Sequence, residues 1–362
     1  MGRLLVAGGG TGGHLYPGIA IAREAQREGW EVLFIGAEGG IEARVLPKEG
    51  LNLRTIRAGK YMGMGFAGKI KTVLSLPSVV SSARGIIREF RPDAVLGVGG
   101  YASFPAVAAA KLSGLPVVIQ EQNAWPGLTN RLLGRFADAI AMGFAEAGRF
   151  FVTKKIFTGN PIRSGLLKAD RAAAVKRFGL DEARTTVLVF GGSAGAHRIN
   201  SGIADALEHL AEMKDKVQFI HQTGEKDRDM VDAAYRKAGF TAAVEAFIYD
   251  MDNAYACADM VVCRSGALTL AEVSALGKPA VLIPYPFAAN NHQEHNARSF
   301  EKAGAARVVL DRDATGVRLA SEIKAMLGDR KLLDDMAKKS RALGRPDAAA
   351  RVLGLIKEYA KG

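Results

Sequence analysis

Short apolar runs alternate with amphipathic stretches along most of this chain. The pattern predicts strands that are each followed by a helix, which is typical of parallel sheets covered on both faces. In the first half we predict helices at residues 18–28, 69–90 and 104–112. The strands predicted there are 4–7, 32–35, 94–98, 117–120 and 139–142.

The second half repeats the alternation, and a chain of 362 residues is long for one hydrophobic core. We therefore predict an α/β protein with two doubly wound, parallel-sheet domains at 1–162 and 163–340. A terminal helix at 341–362 is expected to pack back on the first domain, and the turn residues 158–163 are interpreted as the linker. The strands predicted in this half are 187–190, 217–221, 244–248, 260–263, 280–283 and 306–310.

The most specific local feature is a glycine-rich turn that occurs twice. Both copies fit V-x-G-G-x-x-G-x-H, from Val6 to His14 and from Val189 to His197. Each copy follows a predicted strand and precedes a helical pattern, which makes a natural site for an anion. Because ligands of open parallel sheets bind beyond the carboxyl ends of the strands, we expect two similar halves that face a ligand cleft.

The first glycine turn has three interpretations. Gly8, Gly10 and Gly13 also satisfy G-x-G-x-x-G, and Glu38 follows the second strand, so a nicotinamide or flavin enzyme is a real alternative. A tight turn without chemistry is the plainest alternative. The third interpretation depends on Pro17, which predicts that the helix starts there and that the residues before it form a loop presenting side chains to the cleft.

A histidine ends each copy of the motif. An imidazole in a glycine loop at a helix entrance is suited to general-base work near neutral pH. A single histidine is more often structural, however. His14 and His197 occupy equivalent places, so the residue pattern by itself favours neither as a base.

Another candidate site follows the strand at 260–263. Ser265 is a plausible N-cap of the next helix, whose free amides at 267–269 would point at an anion. Glu272 in that helix can bind a ribose diol, or can be a favourable charge near the helix start. Gln293 and Asn296, which lie after the next strand, can bind sugar hydroxyls.

No metal site is predicted from these residues. His292 and His295 have ligand-like spacing but no apparent third ligand, and the Asp-x-Asp pairs at 227/229, 250/252 and 311/313 are interpreted as surface turns or helix caps. Cys257 and Cys263 are too few for a disulfide framework, and we interpret them as reduced core residues.

Composition narrows the class of partner. The hydrophobic fraction of 48% and the charged fraction of 24% are those of a folded globular protein. The net charge of +12 favours anionic partners, but no basic stretch is interleaved with aromatics, so nucleic acid is not predicted as a partner. No apolar run reaches membrane-spanning length, and Met1 leads directly into a strand rather than a signal peptide, so we expect a cytosolic protein.

Six motifs in register over nearly the whole chain resemble the MurG family of UDP-N-acetylglucosamine transferases. The resemblance implies a GT-B fold of two Rossmann-like domains, with acceptor and membrane binding in the first and UDP-sugar binding in the second. It also implies an inverting, metal-independent enzyme without a cofactor. The six motifs are Gly8 to Gly13 with His14, Gly99-Gly100-Tyr101, Glu121-Gln122-Asn123, Gly159-Asn160-Pro161 with Arg163, Gly191-Gly192-Ser193 with Gly195-Ala196, and Arg264 to Thr269 with Glu272.

The implied reaction moves N-acetylglucosamine from UDP-N-acetylglucosamine to the 4-hydroxyl of lipid I, a muramoyl-pentapeptide on undecaprenyl diphosphate. The product is lipid II of peptidoglycan biosynthesis, made at the cytoplasmic face of the cell membrane by a peripheral enzyme. The alternatives are another GT-B enzyme, a UDP-N-acetylglucosamine epimerase, a nicotinamide-dependent oxidoreductase, and a binder of nucleotide sugars without catalysis.

The resemblance also implies roles for single residues. His14 is the implied base, with Tyr101 and Glu121 near the acceptor. Ile248 lies against uracil, Glu272 binds ribose and Gln293 lies near the sugar. The remaining implied donor contacts are Thr11, Gly12, Gly13, Asn123, Arg163, Ser193, and the phosphate-facing helix start at Ala267, Leu268, Thr269, Leu270 and Ala271.

The chain departs from the family pattern at Gln120, Ala194 and His197, where His, Gln and Arg respectively are common. The resemblance therefore implies no side-chain role at these three positions.

A separate segment predicts contact with an anionic membrane surface. Residues 61–66 are largely apolar, and basic and apolar residues then alternate from Lys69 to Arg91. An ordinary core-facing helix with solvated charges is the alternative interpretation.

Overall fold

The computed structural model of this chain describes residues 2–57, 66–163 and 165–360, without the side chains of 66–73. It consists of two compact units, one formed by Met1–Ile162 with Arg345–Gly362 and the other by Arg163–Gly344. Each unit contains one parallel sheet with helices on it, so the predicted pair of Rossmann-like α/β domains is confirmed.

In the first unit, seven strands within the described residues form a sheet in the order β3-β2-β1-β4-β5-β6-β7. The strands are β1 (Arg3–Gly8), β2 (Glu31–Ala37), β3 (Asn52–Ile56), β4 (Ala94–Gly99), β5 (Val117–Glu121), β6 (Ala139–Met142) and β7 (Lys155–Phe157). The helices are α1 (Gly12–Arg27), α2 (Glu42–Val45), α3 (Phe66–Phe90), α4 (Ser103–Leu112) and α5 (Leu128–Leu133).

In the second unit, six described strands form a sheet in the order β10-β9-β8-β11-β12-β13. The strands are β8 (Thr185–Phe190), β9 (Val217–Gln222), β10 (Ala242–Glu245), β11 (Met260–Cys263), β12 (Ala280–Leu282) and β13 (Ala306–Val308). The helices are α6 (Arg171–Arg177), α7 (His197–His209), α8 (Arg228–Ala238), α9 (Met251–Cys257), α10 (Ala267–Ala275), α11 (His292–Lys302), α12 (Gly316–Leu327) and α13 (Arg330–Leu343).

The first sheet is buried on both faces because successive side chains of a strand point in opposite directions. Leu5 and Ala7 of β1 face one hydrophobic core, and Leu4 and Val6 face the other. The last helix, α14 (Ala348–Tyr359), joins the second of these cores and packs beside α1 through apolar side chains. They are Val352, Leu353, Leu355 and Ile356.

The predicted start of the first helix at Pro17 is wrong. Helix α1 begins at Gly12, with Thr11 in extended conformation at its N-cap, and Pro17 lies inside the helix. A proline this close to the N-terminus removes one hydrogen bond, to the carbonyl of Gly13, and the helix retains the others. His14 therefore lies in the first helical turn and not on a preceding loop.

Smaller corrections concern the strands at the edges of the two sheets. Strands β3 and β7 were not predicted, because both lie at an edge of the first sheet and carry exposed or half-exposed positions. The strand predicted at 244–248 ends at Glu245, so Ile248 follows it. The boundary between the two units falls within the segment 158–163, where Thr158 and Asn160 are buried.

Two expectations about the surface and the cysteines can be compared with the fold. Cys257 and Cys263 are free and buried, as predicted.

The predicted membrane segment is only partly described. The first part of the predicted membrane segment, residues 61–65 and the side chains of 66–73, lies outside the described part of the chain. Within the described part, Leu74 of α3 is 75% exposed and Val79 is buried. No described helix is both long and apolar enough to cross a bilayer.

Candidate active site

The first glycine turn follows β1 and is packed against the turn that follows β4. The Gly9 amide donates to the Gly99 carbonyl at 3.2 Å. A Cβ on Gly100 would lie 2.1 Å from the Gly9 oxygen, so only glycine permits this approach of the two backbones. The two turns therefore form one continuous surface beyond the carboxyl ends of neighbouring strands, where parallel sheets bind ligands.

His14 and Thr11 lie together at the start of α1. The Thr11 hydroxyl is 2.9 Å from the His14 Nδ1 atom. The other edge of the imidazole lies against Gly99, where a Cβ would come within 2.8 Å of Cδ2 and 3.1 Å of Nε2. The Tyr101 ring lies 3.5 Å from the place of a Cβ on Gly10. The structure thus brings Tyr101 of one sequence motif close to the glycine turn of another, which carries Thr11 and His14.

Glu121 ends β5 and is almost fully buried. Its Oε1 accepts a hydrogen bond from the Asn123 amide at 2.8 Å, and its Oε2 accepts bonds from Asn130 Nδ2 at 2.9 Å and the Gly127 amide at 3.3 Å. Burial raises the pKa of Glu121 to about 7, although these donors favour the ionised form. The carboxyl group is therefore able to change its charge near neutral pH.

Asn130 is a residue of this cluster that sequence analysis missed. It lies on α5, it is buried, and its Nδ2 atom donates to both the Gln120 carbonyl and Glu121. Nδ2 is also 3.5 Å from the place of a Cβ on Gly99, the glycine that the His14 ring contacts. Asn130 therefore lies between the Glu121 carboxyl and the glycine against which the His14 ring packs. An isolated Asn in a short helix gives no sequence signal for this position.

Glu42 is a second missed residue, and it corrects the expectation that both glycine turns offer open anion sites. Glu42 is fully buried, and its Oε2 atom accepts the Gly10 amide at 2.9 Å. One amide of the first turn is therefore already bonded to an anion of the chain itself. A dinucleotide phosphate would be repelled by this carboxylate, which argues against the nicotinamide alternative. A helix start at Pro17 is no argument against it, because α1 begins at Gly12.

The second glycine turn lies between β8 and α7, and its residues Gly192, Ser193 and Ala194 are exposed. His197 begins α7 with an exposed imidazole whose Nδ1 lies 3.0 Å from Asp227 Oδ1. Asp227 also accepts a bond from Asn200 Nδ2 at 2.8 Å. His197 is thus held by a carboxylate, whereas His14 is held by a hydroxyl.

A buried polar chain continues from Asn200 into the second core. Asn200 Oδ1 and His221 Nε2 are 3.1 Å apart, and His221 Nδ1 is 3.1 Å from the Tyr235 hydroxyl. Because Asn200 uses its amide hydrogens on Thr223 and Asp227, the His221 Nε2–H donates and its Nδ1 accepts. Burial lowers the pKa of His221 to about 3, so this histidine is neutral at physiological pH.

The start of α10 has the predicted geometry for an anion, with one correction. Gly266 is the N-cap, and Ser265 is not, because the Ser265 hydroxyl donates to the Gln293 carbonyl at 2.8 Å. The Leu270 amide already donates to Gly266 within the helix. The first three helical residues, Ala267, Leu268 and Thr269, therefore carry the amides that can meet a phosphate, and Leu270 and Ala271 belong to the body of the helix.

Arg163 and Glu272 form an ion pair in the second unit. Arg163 Nε donates to Glu272 Oε1 at 3.1 Å, and the Tyr255 hydroxyl donates to Oε2 at 3.2 Å. Burial raises the pKa of Glu272, and the charge of Arg163 offsets part of this effect. The sequence motifs named both members of the pair, but Tyr255, a fully buried side chain, was missed.

Two further predicted positions lie in the same unit. Ile248 is buried, and its amide donates to Gln222 Oε1 at 2.8 Å. Gln293 lies at the start of α11, where its Oε1 accepts the Tyr285 amide at 3.0 Å. Among the described residues, no group of three or more His, Cys, Asp or Glu side chains is arranged to hold a metal ion.

The arrangement has two chemical capacities, one in each unit. The first unit contains a histidine, a buried carboxyl and a tyrosine around a glycine turn, which are the groups that accept or position a proton. The second unit contains two helix starts that can meet phosphate, and a carboxylate that can accept hydroxyl groups.

Comparison with known proteins identifies relatives over the whole chain. Residues 4–142 match the N-terminal domain of glycosyltransferase family 28, and residues 186–352 match its C-terminal domain. The chain is 44% identical to the UDP-N-acetylglucosamine--N-acetylmuramyl-(pentapeptide) pyrophosphoryl-undecaprenol N-acetylglucosamine transferase of Thermodesulfovibrio yellowstonii, over 97% of each chain. It is 49% identical to the enzyme of the same name from Geobacter sp. strain M21, over 98% of this chain and 95% of the relative.

Solved structures agree with this result. The crystal structure of Acinetobacter baumannii MurG is similar with a TM-score of 0.82 and 30% identity, over 99% of this chain and 100% of that one. A UDP-GlcNAc 2-epimerase from Neisseria meningitidis bound to UDP-GlcNAc has a TM-score of 0.70 at 14% identity, over 99% of this chain and 100% of that one. At so low an identity, the second likeness shows the fold alone.

Proposed function

Because this chain belongs to the MurG family within glycosyltransferase family 28, we propose that it transfers N-acetylglucosamine from UDP-N-acetylglucosamine to the 4-hydroxyl of lipid I. The product is lipid II, the disaccharide-pentapeptide of peptidoglycan synthesis. The observation that carries the proposal is identity of 44 and 49% over nearly the full chain to transferases of that name.

The proposed transfer is a single in-line displacement with inversion. The 4-hydroxyl oxygen of the acceptor forms a bond to the anomeric carbon, the bond from that carbon to the UDP oxygen breaks, and UDP leaves as an anion. The acceptor proton goes to His14, directly or through one water. When the Thr11 hydroxyl accepts from Nδ1–H, Nε2 is the basic atom. General-base help of this kind is worth roughly a hundredfold to ten-thousandfold in rate.

We assign the donor nucleotide to the second unit. Glu272 would accept the ribose hydroxyls, Ile248 would lie against the uracil, and Arg163 and Ser193 would contact the donor. The helix starts at Gly195–Ala196 and at Ala267 would stabilise the charge that develops on UDP, without a metal. Gln293 would meet the sugar. Thr11, Gly12, Gly13 and Asn123 of the first unit would meet the transferred sugar, and Tyr101 and Glu121 would lie near the acceptor.

A radiolabelled transfer assay with UDP-N-acetylglucosamine and a lipid I analogue tests the activity. Formation of a labelled disaccharide lipid is expected. Release of a different sugar nucleotide without acceptor would instead indicate an epimerase, and UDP-sugar affinity without turnover would indicate a binder. For the base, His14→Ala is compared with His197→Ala. The assignment fails if only the second variant loses turnover while donor affinity stays near normal.

We further propose that the first unit docks on the anionic, cytoplasmic face of the cell membrane, where the lipid tail of the acceptor stays. Leu74 and Arg88 of α3 are exposed, and helices α3, α4 and α5 pack side by side. Exposed Leu112 at the end of α4 and Leu128 on α5 add apolar surface that sequence analysis did not identify. Exposed apolar side chains and positive charge on the same layer of helices suit an anionic lipid surface.

Vesicle sedimentation tests the docking proposal. The protein should sediment with vesicles that contain anionic lipid and less with neutral ones, and Leu74→Glu should weaken the association. Equal sedimentation with both vesicle types would remove the electrostatic part of the proposal. Val317→Glu, at an exposed apolar position of the second unit, is the matched control.

A further inference from the structure

Glu42 is a buried carboxylate that ties two backbone segments of the first unit together. It begins the short helix α2 and has no exposed surface. Its Oε2 accepts the Gly10 amide at 2.9 Å, and its Oε1 accepts the Ala37 amide at 2.7 Å. One side chain therefore joins the end of β2 to the first glycine turn, although 32 residues separate Glu42 from Gly10.

Three glycines make room for this carboxylate. A Cβ on Gly9 would lie 2.6 Å from Oε2, one on Gly36 would lie 2.4 Å from Cγ, and one on Gly40 would lie 2.4 Å from Cδ. Real side-chain contacts are not this short, so any larger residue at these positions would displace the carboxyl group. The backbone around Glu42 is thus shaped to enclose it.

Each oxygen of the Glu42 side chain accepts one backbone N–H, so both donors are satisfied by the same carboxylate. A buried charge is costly unless it is hydrogen-bonded, and here the amides and the nearby N-terminus of α1 stabilise it. The second glycine turn differs, because Asp227 beside it bonds to the His197 and Asn200 side chains.

We propose that Glu42 is a positioning residue of the transfer reaction: its carboxylate takes the Gly10 amide that a ligand phosphate would otherwise take, and so holds the turn that carries Thr11 and His14. The inference rests on the proposed role of His14 as base. The turn is held from both sides, by Glu42 at Gly10 and by the Gly99 carbonyl at Gly9. Thr11 follows Gly10 directly and contacts the His14 ring.

Glu42→Gln tests the proposal. The variant side chain has the same shape, but its single carbonyl oxygen can accept only one of the two amides and its NH2 group would face the other. Turnover should fall roughly tenfold to a hundredfold, because small displacements of a catalytic group cost rates of that order. The Kd for UDP should stay within about twofold of the parent value (~0.4 kcal/mol), because the proposed nucleotide residues lie in the second unit.

Glu322→Gln is the matched control. Glu322 is a buried carboxylate of the second unit that pairs with Arg318 at 2.6 Å, far along the chain from the glycine turn. This variant should leave both turnover and UDP affinity unchanged. In a His14→Ala background, Glu42→Gln should cause little further loss, because two residues that act through the same group are not additive.

Histidine-ring NMR gives a readout that does not depend on activity. With carbon-13 in the histidine rings, Glu42→Gln should shift the His14 signal and leave that of exposed His209 in place. Four results would overturn the proposal: turnover of Glu42→Gln within twofold of the parent, parallel loss of UDP affinity, an additive loss in the His14→Ala background, or an unshifted His14 signal. If the parent makes no lipid II, the proposed function fails. The NMR result still tests whether Glu42 holds the glycine turn that carries His14.

Discussion

The Asn130 side chain donates a hydrogen bond from Nδ2 to Glu121 Oε2 at 2.9 Å, inside the first unit and out of contact with solvent. This bond favours the ionised carboxylate, while burial raises the pKa of Glu121 to about 7. Asn130 thus limits how far the pKa of Glu121 rises. A carboxyl group is best suited to proton transfer when its pKa lies near the working pH.

Asn130→Ala should therefore raise the pKa of Glu121 above about 7. A hydrogen bond to a charged group contributes about 1.5–3 kcal/mol, so the shift should be about one pKa unit or more. If ionised Glu121 is needed near the acceptor, the acid limb of the kcat/KM profile should move to higher pH. Asn253→Ala, which removes an amide bonded to Asp250 in the second unit, should leave the profile in place. An unchanged profile in Asn130→Ala would contradict this role.

The ion pair of Arg163 and Glu272 should control nucleotide affinity. Arg163→Gln leaves the buried Glu272 carboxyl without its cation, so the pKa of Glu272 should rise further and its ability to accept ribose hydroxyls should fall. UDP binding should weaken by about tenfold or more (~1.4 kcal/mol) in titration calorimetry. Arg177→Gln, which breaks the more exposed pair with Asp250, is the control. Equal UDP affinity in both variants would mean that the pair at Glu272 serves only the fold.

Acid should destabilise the second unit through His221. Its pKa is lowered by burial from 6.5 to about 3, so the unfolded chain binds the proton more readily than the folded one between these values. The contribution of His221 to the free energy of unfolding is complete above pH 6.5 and decreases as the pH falls towards 3. Urea unfolding of the parent between pH 7.5 and about 5 should show this loss, and His221→Gln should show less of it. His209→Gln, at an exposed position, should behave like the parent.

Two glycines of the second glycine turn allow the effect of steric obstruction on stability to be separated from the effect of a positive φ. Gly192 and Gly195 both have positive φ, of 103° and 74°, but only a Cβ on Gly195 meets an obstacle, the Thr223 carbonyl at 1.8 Å. Gly192→Ala should lower the free energy of unfolding by about 1–3 kcal/mol, from backbone strain alone. Gly195→Ala should cost more, because the loop must also move, and it should weaken UDP binding. Equal stability of the two variants in thermal unfolding would contradict this account.

The sequence by itself determined the architecture and most of the local chemistry. Strand and helix periods are local properties, so the alternation of the two halves, both glycine turns and the pair of motifs with Arg163 and Glu272 were visible along the chain. The missed edge strands β3 and β7 lack the fully apolar pattern of central strands, since each has a neighbour on one side only among the described strands.

Only the tertiary structure decided how the two copies of the glycine turn differ. Glu42 reaches the Gly10 amide, and Asn130 reaches Glu121, from other elements of the first unit. These contacts depend on where parallel strands and their following helices pack, and neither an isolated Glu nor an isolated Asn carries a periodic signal. Helix α1 likewise starts at Gly12 in spite of Pro17, because the packed helix tolerates the loss of one hydrogen bond near its N-terminus.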